Sequence, residues 1–163
     1  MGIHPQDDLF TLLRQVRTNQ SDTGSQEQKW IINHLSDPKL RAMVPHLSII
    51  ALHILSALQT QNVQTGIALA ESLGVTRGGI TRAAKKLLQY GLVTTEKLPN
   101  NQKNIYYQLS PQGRTIAQVH DQMHQTLEQR FADKINAKYS AAELKIVTSF
   151  LNDVIKIESN ILN

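Results

Sequence analysis

Hydrophobic residues recur at helical spacing along most of this chain, which predicts a mainly α-helical protein. In the first third of the chain, three helices are predicted, over residues 7–18, 26–36 and 48–59. The polar segment 18–25 contains Gly24, so we expect a break or a loose turn between the first two helices. The third is apolar nearly all round, which predicts a buried helix with Ser48 as its N-cap.

Two short amphipathic helices joined by a tight turn follow. We expect Thr65 to cap the first, which ends at Gly74, and Thr76 to cap the second, which ends at Gly91. The predicted inward face of the second helix consists of Ile80, Ala84, Leu87 and Leu88, and its outward face of Gly78, Thr81, Arg82 and Lys85. A pair of this kind, with a basic outer face on its second helix, is typical of the helix-turn-helix unit.

After Gly91 the residue pattern favours β-strands. Residues 92–98 and 105–109 are predicted strands, and the turn cluster 99–102 lies between them. A hairpin placed directly after a recognition helix is a wing. The predicted fold class is therefore mainly α with a small β-hairpin wing, a winged helix-turn-helix with a helical dimerisation lobe.

Two further helices complete the predicted fold. Ser110 and Pro111 begin a long helix that runs to about Ala137, and a capping box of Ser140 and Glu143 begins the last one. Their apolar stripes consist of Ile116, Val119, Met123, Leu127 and Phe131 in the long helix, and of Leu144, Val147, Leu151, Val154 and Ile155 in the last. A small winged helix cannot cover both stripes, so we expect a homodimer to bury them.

We interpret residues 1–163 as a single domain with two lobes. Residues 46–111 form the predicted DNA-binding lobe, and residues 5–36 and 112–162 together form the predicted dimerisation lobe. The chain contains no cysteine, which excludes disulfides and thiolate metal sites and favours a reducing cytoplasm. No apolar run approaches the roughly 20 residues of a membrane helix and no signal segment is recognisable, so no membrane partner is expected.

Positive charge is concentrated in one segment. The net charge of the chain is +4, but residues 74–118 hold seven basic side chains and one acidic side chain, a net charge of +6, which leaves −2 elsewhere. This favours a polyanionic partner, although a basic helix surface can also serve solubility alone. The residues expected to contact double-stranded DNA are Thr76, Arg77, Gly78, Thr81, Arg82, Lys85 and Lys103.

The order of these elements and several motifs resemble the multiple antibiotic resistance regulator (MarR) family. The motifs are LSIIALHIL (47–55), ALAESLGVT (68–76), ITR (80–82), KLLQYGLV (86–93) and the wing exit YQLSPQG (107–113). The resemblance covers about residues 46–160 and implies a ligand-responsive transcription regulator, expected to be a dimeric repressor. At the wing tip the family usually has Asp-x-Arg, whereas this chain has Asn101, Gln102 and Lys103, so the aspartate of the family's internal ion pair is absent.

Three histidines form a candidate metal site. His120 and His124 are four residues apart on the long helix and can share an ion, and His53 lies on the buried helix. The resemblance to the zinc-responsive branch of the family implies that these three bind zinc together with a glutamate of the first helix. Lys29 aligns with that glutamate here, so Glu27 or His34 would complete the site.

In those relatives a second metal site uses a cysteine and carboxylates. Leu35, Leu52 and Val119 stand near its positions here, so we expect no second site. The alternative to any metal site is that the histidine pair arises by chance on a helix surface and that His53 is a hydrogen-bonded core residue.

Other functions remain open at this point. The same regulator could respond to an organic ligand, such as an aromatic acid or an acyl chain, in a pocket lined by Trp30, His34 and His53. A constitutive architectural DNA-binding protein would need no effector. A metal-dependent hydrolase is disfavoured, because no glutamate lies between His120 and His124 as it does in His-Glu-x-x-His enzymes. We therefore expect no catalytic residues.

Overall fold

The computed structural model describes residues 9, 11–16, 23–99 and 101–161. The chain forms two compact units, one of residues up to Met123 and one of residues from His124 onward. The division falls inside one unbroken helix. The lobes predicted from the sequence, residues 46–111 and residues 5–36 with 112–162, stay a prediction.

Helices dominate the described residues, as the hydrophobic spacing predicts. The helices are α1 (residues 11–16), α2 (Thr23–His34), α3 (Pro38–Met43), α4 (Ile49–Thr60), α5 (Gly66–Leu73), α6 (Arg77–Gln89), α7 (Pro111–Lys138) and α8 (Ala141–Ile161), with a 3-10 turn at Val44–His46. The strands are β1 (Val63–Thr65), β2 (Val93–Leu98) and β3 (Asn101–Leu109). This arrangement confirms the predicted fold class.

The predicted helix caps are confirmed. The side-chain oxygens of Ser48, Thr65 and Thr76 accept hydrogen bonds from backbone N–H groups in the first turns of α4, α5 and α6, at 3.1, 3.2 and 3.1 Å. Each bond satisfies a donor that has no partner inside the helix. Gly74 and Gly91 follow α5 and α6 with φ angles of 62° and 64°, as expected for helix ends.

Two boundary predictions near the N-terminus have different outcomes. Of the predicted helix over residues 7–18, residues 9 and 11–16 are helical and the remainder lies outside the described residues. The predicted break over residues 18–25 is wrong at its end, because α2 already begins at Thr23. A Cβ on Gly24 would lie 3.0 Å from Ile49 Cγ1, so close packing against α4 accounts for a glycine inside this helix.

Three details of the winged helix differ from the sequence prediction. The strand β1 is missing from the prediction, because three residues are too few to show an alternating pattern. The strand β3 begins at Asn101 instead of Ile105, so the turn is shorter than the predicted segment 99–102. Leu88, assigned to the inward face of α6, is 39% exposed, while Ile80, Ala84 and Leu87 are buried.

A small antiparallel sheet holds the wing. The strand order is β1-β3-β2, with Val63 opposite Gln108 and Val93 opposite Leu109. The register of β2 and β3 shifts between Glu96 and Leu98. Gly113, in the first turn of α7, lies so close to β2 that an added Cβ would overlap the carbonyl oxygen of Leu92. The wing is therefore attached directly to the start of the long helix.

The hydrophobic core of the first unit is centred on α4. Leu52, Ile54, Leu55 and Leu58 are fully buried in it. Around them lie Ile31, Leu69, Leu87, Leu92 and Ile116, which come from α2, α5, α6, the start of the wing and α7. Since α4 packs against α6, the central helix supports the helix predicted to read DNA.

The second unit consists of the remainder of α7 and the whole of α8. The predicted capping box is confirmed: the backbone N–H and the hydroxyl of Ser140 both donate to Glu143, at 2.8 and 2.7 Å. Large apolar side chains of α8 are exposed in the single chain, namely Ile146, Val147, Phe150, Leu151, Ile155 and Ile157. Among the residues that the structure describes, no helix combines the length and hydropathy that a membrane span requires.

Candidate DNA-binding face and metal centre

The predicted DNA-contacting residues of α6 share its solvent-exposed face. Thr76, Arg77, Gly78, Thr81, Arg82 and Lys85 are all exposed. The opposite face of α6 consists of Gly79, Ile80, Ala83, Ala84 and Leu87, which are buried. The helix therefore places its basic side chains on one outward surface, and its first turn leads with Arg77.

Two hydroxyl groups on this face also serve the helix itself. Thr76 Oγ1 accepts the Gly79 N–H, and the hydroxyl of Thr81 donates to the Arg77 carbonyl at 2.9 Å. Thr76 retains its hydroxyl hydrogen as a donor, whereas Thr81 has only acceptor capacity left. A phosphate oxygen can therefore be bound by Thr76 but not by Thr81 in this rotamer.

The two adjacent glycines of α6 have opposite surroundings. A Cβ on Gly79 would lie 3.3 Å from Thr76 Oγ1 and 3.4 Å from Ile50 Cδ1, so packing accounts for this glycine. A Cβ on Gly78 would have no neighbour within 4 Å. Nothing in the described residues excludes a side chain at Gly78, so packing within the chain does not account for this glycine.

The structure brings Lys103 of the wing beside α6. A hollow of about 260 Å³ is lined by Arg77, Thr81 and Lys103, together with residues of β1, α5 and β3. Lys103 is exposed. Two cations from elements separated along the chain therefore face the same hollow, which gives it a positive potential.

A second basic hollow lies on the other side of α6, with a volume of about 380 Å³. Arg82, Lys86 and His46 line it, beside Ser48 and Ile50. Lys86 is a candidate phosphate contact from the sequence, with a solvated side chain as the alternative, whereas no role is predicted for His46. The ammonium group of Lys86 lies 5.1 Å from the ring centroid of Tyr90, and the His46 ring stacks on the same tyrosine at 6.2 Å. No sequence signal joins them, because the chain segments meet only in the fold.

The candidate metal ligands come from three helices. Glu27 lies on α2, His53 on α4, and His120 and His124 on consecutive turns of α7. One ligand atom from each of these four residues lies within 4.8 Å of the others. His120 is buried, with 2% of its side chain exposed, and the other three are half-buried.

The donor set suits zinc. Three imidazoles and one carboxylate are ligands that Zn²⁺ takes in tetrahedral sites. Glu27 Oε2 is buried without a hydrogen-bond partner among the described residues, and it lies 3.9 Å from Nε2 of His120. A buried carboxylate oxygen without a partner is costly, and a cation placed between these atoms would supply the missing interaction.

His34, the alternative fourth ligand, lies outside this cluster. Its ring stacks on Trp30 at 3.6 Å between centroids, and its Nδ1 lies 2.8 Å from the Trp30 carbonyl oxygen. The structure therefore groups Glu27, and not His34, with the three histidines. The side chain of Lys29 is exposed.

Asp121 is a polar residue of this region to which sequence reasoning assigned no role. It follows His120 on α7, and its carboxylate accepts hydrogen bonds from Ser56 and Gln59 of α4, at 2.6 and 2.8 Å. These partners are more than sixty residues away in the sequence. No local pattern could therefore have shown them.

Comparison with known proteins gives the family. The MarR family model matches residues 47–105, which span α4 to the wing. The uncharacterized HTH-type transcriptional regulator YvnA of Bacillus subtilis (strain 168) is 36% identical over 106 residues, which cover 64% of this chain and 66% of that protein. The segment from α4 to the wing belongs to the MarR family. The matched part spans slightly less than two thirds of the relative's length.

Solved structures of MarR proteins share the fold. Adhesin competence repressor (AdcR) from Streptococcus pyogenes aligns with a TM-score of 0.68 at 21% identity, over 92% of this chain and 94% of that chain. Lactococcus lactis ZitR, described as a zinc-responsive MarR family member, aligns with a TM-score of 0.60 at 23% identity, over 68% and 75% of the two chains. A ZitR structure in complex with DNA aligns with a TM-score of 0.61 at 24% identity, over 68% and 74%.

Proposed function

We propose that this MarR-family chain is a homodimeric, DNA-binding transcription regulator, acting as a repressor, whose affinity for DNA is set by zinc. The observation that carries the zinc response is the convergence of Glu27, His53, His120 and His124 on one point. Because His53 lies on α4, and α4 packs against α6, an ion held there acts on the helix that supports the recognition helix.

The exposed basic face supports DNA binding. Arg77, Arg82 and Lys85 on α6 and Lys103 on the wing are exposed and lie within the segment of net charge +6. Arginine can pair with guanine through two hydrogen bonds in the major groove, whereas lysines contact phosphates without reading sequence. The existence of a ZitR structure with DNA supports the same activity for this fold.

The donor set supports zinc as the effector. Imidazole and carboxylate ligands would hold the ion, and zinc would add direct bonds between α2, α4 and α7. ZitR, which shares the fold, is itself described as zinc-responsive. A tenfold rise in operator affinity needs only about 1.4 kcal/mol of coupling between the two sites.

Exposed apolar surface supports a dimer. Phe131 and Leu127 of α7 are 67% and 52% exposed in the single chain, and the apolar side chains of α8 are also exposed. A second copy of the chain would bury these surfaces. Two recognition helices would then meet successive major grooves, which are about 34 Å apart.

The test is operator binding by the wild type, His120→Ala and His34→Ala, each with zinc and with a chelator. We expect zinc to raise the affinity of the wild type and of His34→Ala, and to leave His120→Ala unchanged. An equal response of the wild type and His120→Ala would contradict the zinc assignment. Specific binding that is indifferent to zinc in all three proteins would favour an organic effector.

A further inference from the structure

Asp121 links the helix that carries two candidate metal ligands to the central helix. The Ser56 hydroxyl donates to Asp121 Oδ1 at 2.6 Å, and the Gln59 side-chain amide donates to Asp121 Oδ2 at 2.8 Å. Both oxygens of the carboxylate therefore bind α4. His53, Ser56 and Gln59 lie at spacings of three residues, so they share one side of that helix.

The same carboxylate also reaches His120. Asp121 Oδ1 lies 3.4 Å from Nδ1 of His120, while Nε2 of that ring lies 3.9 Å from Glu27 Oε2. The two nitrogens of one imidazole are therefore directed differently, Nδ1 towards Asp121 and Nε2 towards the cluster. Because His120 is almost fully buried, the packing around it limits reorientation of the ring.

We propose that Asp121 is a positioning residue for the metal centre: it holds the proton of His120 on Nδ1 and so directs the Nε2 lone pair at the ion. This inference rests on the proposed zinc site. A carboxylate behind a metal-binding histidine fixes the tautomer and orientation of the ring and raises its basicity as a ligand. The carboxylate is itself held by Ser56 and Gln59, so its orientation is set by bonds within the protein.

The bonds to α4 give Asp121 a second effect. They set the position of the ligand-bearing turn of α7 along α4, the helix that also carries His53. A ligand set whose members are prealigned in this way pays less ordering entropy on binding. Because α4 packs against α6, this alignment also affects the position of the recognition helix.

Asp121→Asn tests the proposal, with Glu128→Gln as the control for loss of an exposed carboxylate on the same helix. An amide has one acceptor oxygen, so it cannot receive all of the hydrogen bonds that Asp121 receives. We expect zinc affinity, measured by competition with a fluorescent chelator, to fall about ten- to hundredfold in Asp121→Asn and to be unchanged in Glu128→Gln.

Long-range ¹H–¹⁵N correlation spectra of the metal-free proteins show which nitrogen of His120 carries the proton. A purely structural role of Asp121 would not change that tautomer. The wild type and Glu128→Gln should show His120 protonated on Nδ1, and Asp121→Asn should shift the proton to Nε2. Ser56→Ala keeps the carboxylate and removes one donor from α4, so we expect a loss of zinc affinity of only a fewfold with the Nδ1 tautomer retained.

The outcomes separate this inference from the proposed function. If the wild type binds no zinc, the zinc assignment is wrong, and the metal-free tautomer alone decides whether Asp121 holds His120. If the wild type binds zinc and Asp121→Asn matches it in affinity and tautomer, Asp121 has no positioning role, although the regulator survives. If Asp121→Asn fails to fold, two other measurements decide. Unchanged zinc affinity in Ser56→Ala would contradict the alignment of the ligand-bearing turn of α7 by α4. A proton on Nε2 of His120 in the wild type would contradict the role of Asp121 in holding that proton on Nδ1.

Discussion

Oε2 of Glu27 lies 3.9 Å from Nε2 of His120, and this buried oxygen has no hydrogen-bond partner among the described residues. The two side chains come from α2 and α7, which are distant in the sequence. Their proximity turns three histidines with an undecided fourth ligand into a defined donor set.

Removing Glu27 should therefore weaken zinc binding, whereas removing His34 should not. We expect Glu27→Gln to lower zinc affinity by about a hundredfold or more, because a lost ligand costs more than a lost outer partner. His34→Ala is the matched control, since its ring stacks on Trp30 outside the cluster. Chelator competition measures both. A larger loss in His34→Ala than in Glu27→Gln would mean that the ligand set is wrong.

Zinc should also stabilise the folded chain. An ion that binds only the native state adds about 2.7 kcal/mol to the free energy of unfolding at a hundredfold excess over its Kd. Thermal unfolding with zinc and with a chelator measures this shift in the wild type. The same shift in His120→Ala would show that the ion binds elsewhere.

DNA binding should weaken steeply with salt. A dimer that makes roughly 6–10 phosphate contacts is expected to lose on the order of 10³–10⁵ in affinity between 50 and 200 mM salt.

Lys103→Ala should weaken binding to all sequences and reduce the salt slope, whereas Arg82→Ala should reduce discrimination between operator and other DNA by about 1–3 kcal/mol. Lys134→Ala, a change of an exposed lysine of the second unit, serves as the control. Equal effects of all three variants would place the contact surface elsewhere.

Gly78→Ala should separate folding stability from DNA affinity. Alanine favours a helix by up to about 1 kcal/mol over glycine, and the added Cβ meets no neighbour, so we expect the free energy of unfolding to stay the same or rise. If the DNA backbone approaches Gly78, affinity should fall about tenfold, equivalent to about 1.4 kcal/mol. Gln89→Ala, at the exposed far end of α6, should leave DNA affinity unchanged. Undiminished DNA binding by Gly78→Ala would exclude a close approach at this position.

Charge placed on the apolar face of α8 should dissociate the dimer. Ile146 is 70% exposed in the single chain, so Ile146→Glu leaves the chain's own core intact but disfavours burial between copies. Light scattering should report twice the mass of one chain for the wild type and a single chain for Ile146→Glu. Asn152→Glu adds the same charge about 120° away around the helix, outside the apolar face, and should remain dimeric. A monomeric wild type at micromolar concentration would contradict the dimer.

The capping box of α8 makes a pH-dependent contribution to the stability of the fold. Hydrogen bonds from the Ser140 side chain and, to a lesser extent, from its backbone N–H hold the pKa of Glu143 below its ordinary value of 4.5. A carboxyl with a lowered pKa in the folded state stabilises the fold above its unfolded pKa, and this stabilisation is lost as the pH falls through the folded pKa. Ser140→Ala should raise the pKa of Glu143, as followed by NMR titration, whereas Ser159→Ala should not. An unchanged Glu143 titration in Ser140→Ala would mean that the cap is not formed in solution.

Local patterns in the chain determined most of its secondary structure and the basic face of α6. Hydrophobic spacing placed α4, α6 and α7, and the caps at Ser48, Thr65 and Thr76 are local bonds that span three residues. Such features depend on neighbours in the sequence, so the sequence alone predicts them. The basic outer face of α6 follows from the same helical period.

Only the tertiary structure decided which polar residues meet. Residues from three helices converge where Glu27 joins the histidines, and His34, equally plausible from the sequence, is directed at Trp30 instead. The strand β1 exists because it pairs with β3, and Asp121 finds its partners on α4. These contacts join residues far apart in the chain, and they arise from how burial of the apolar faces sets one helix against another, which no local pattern encodes.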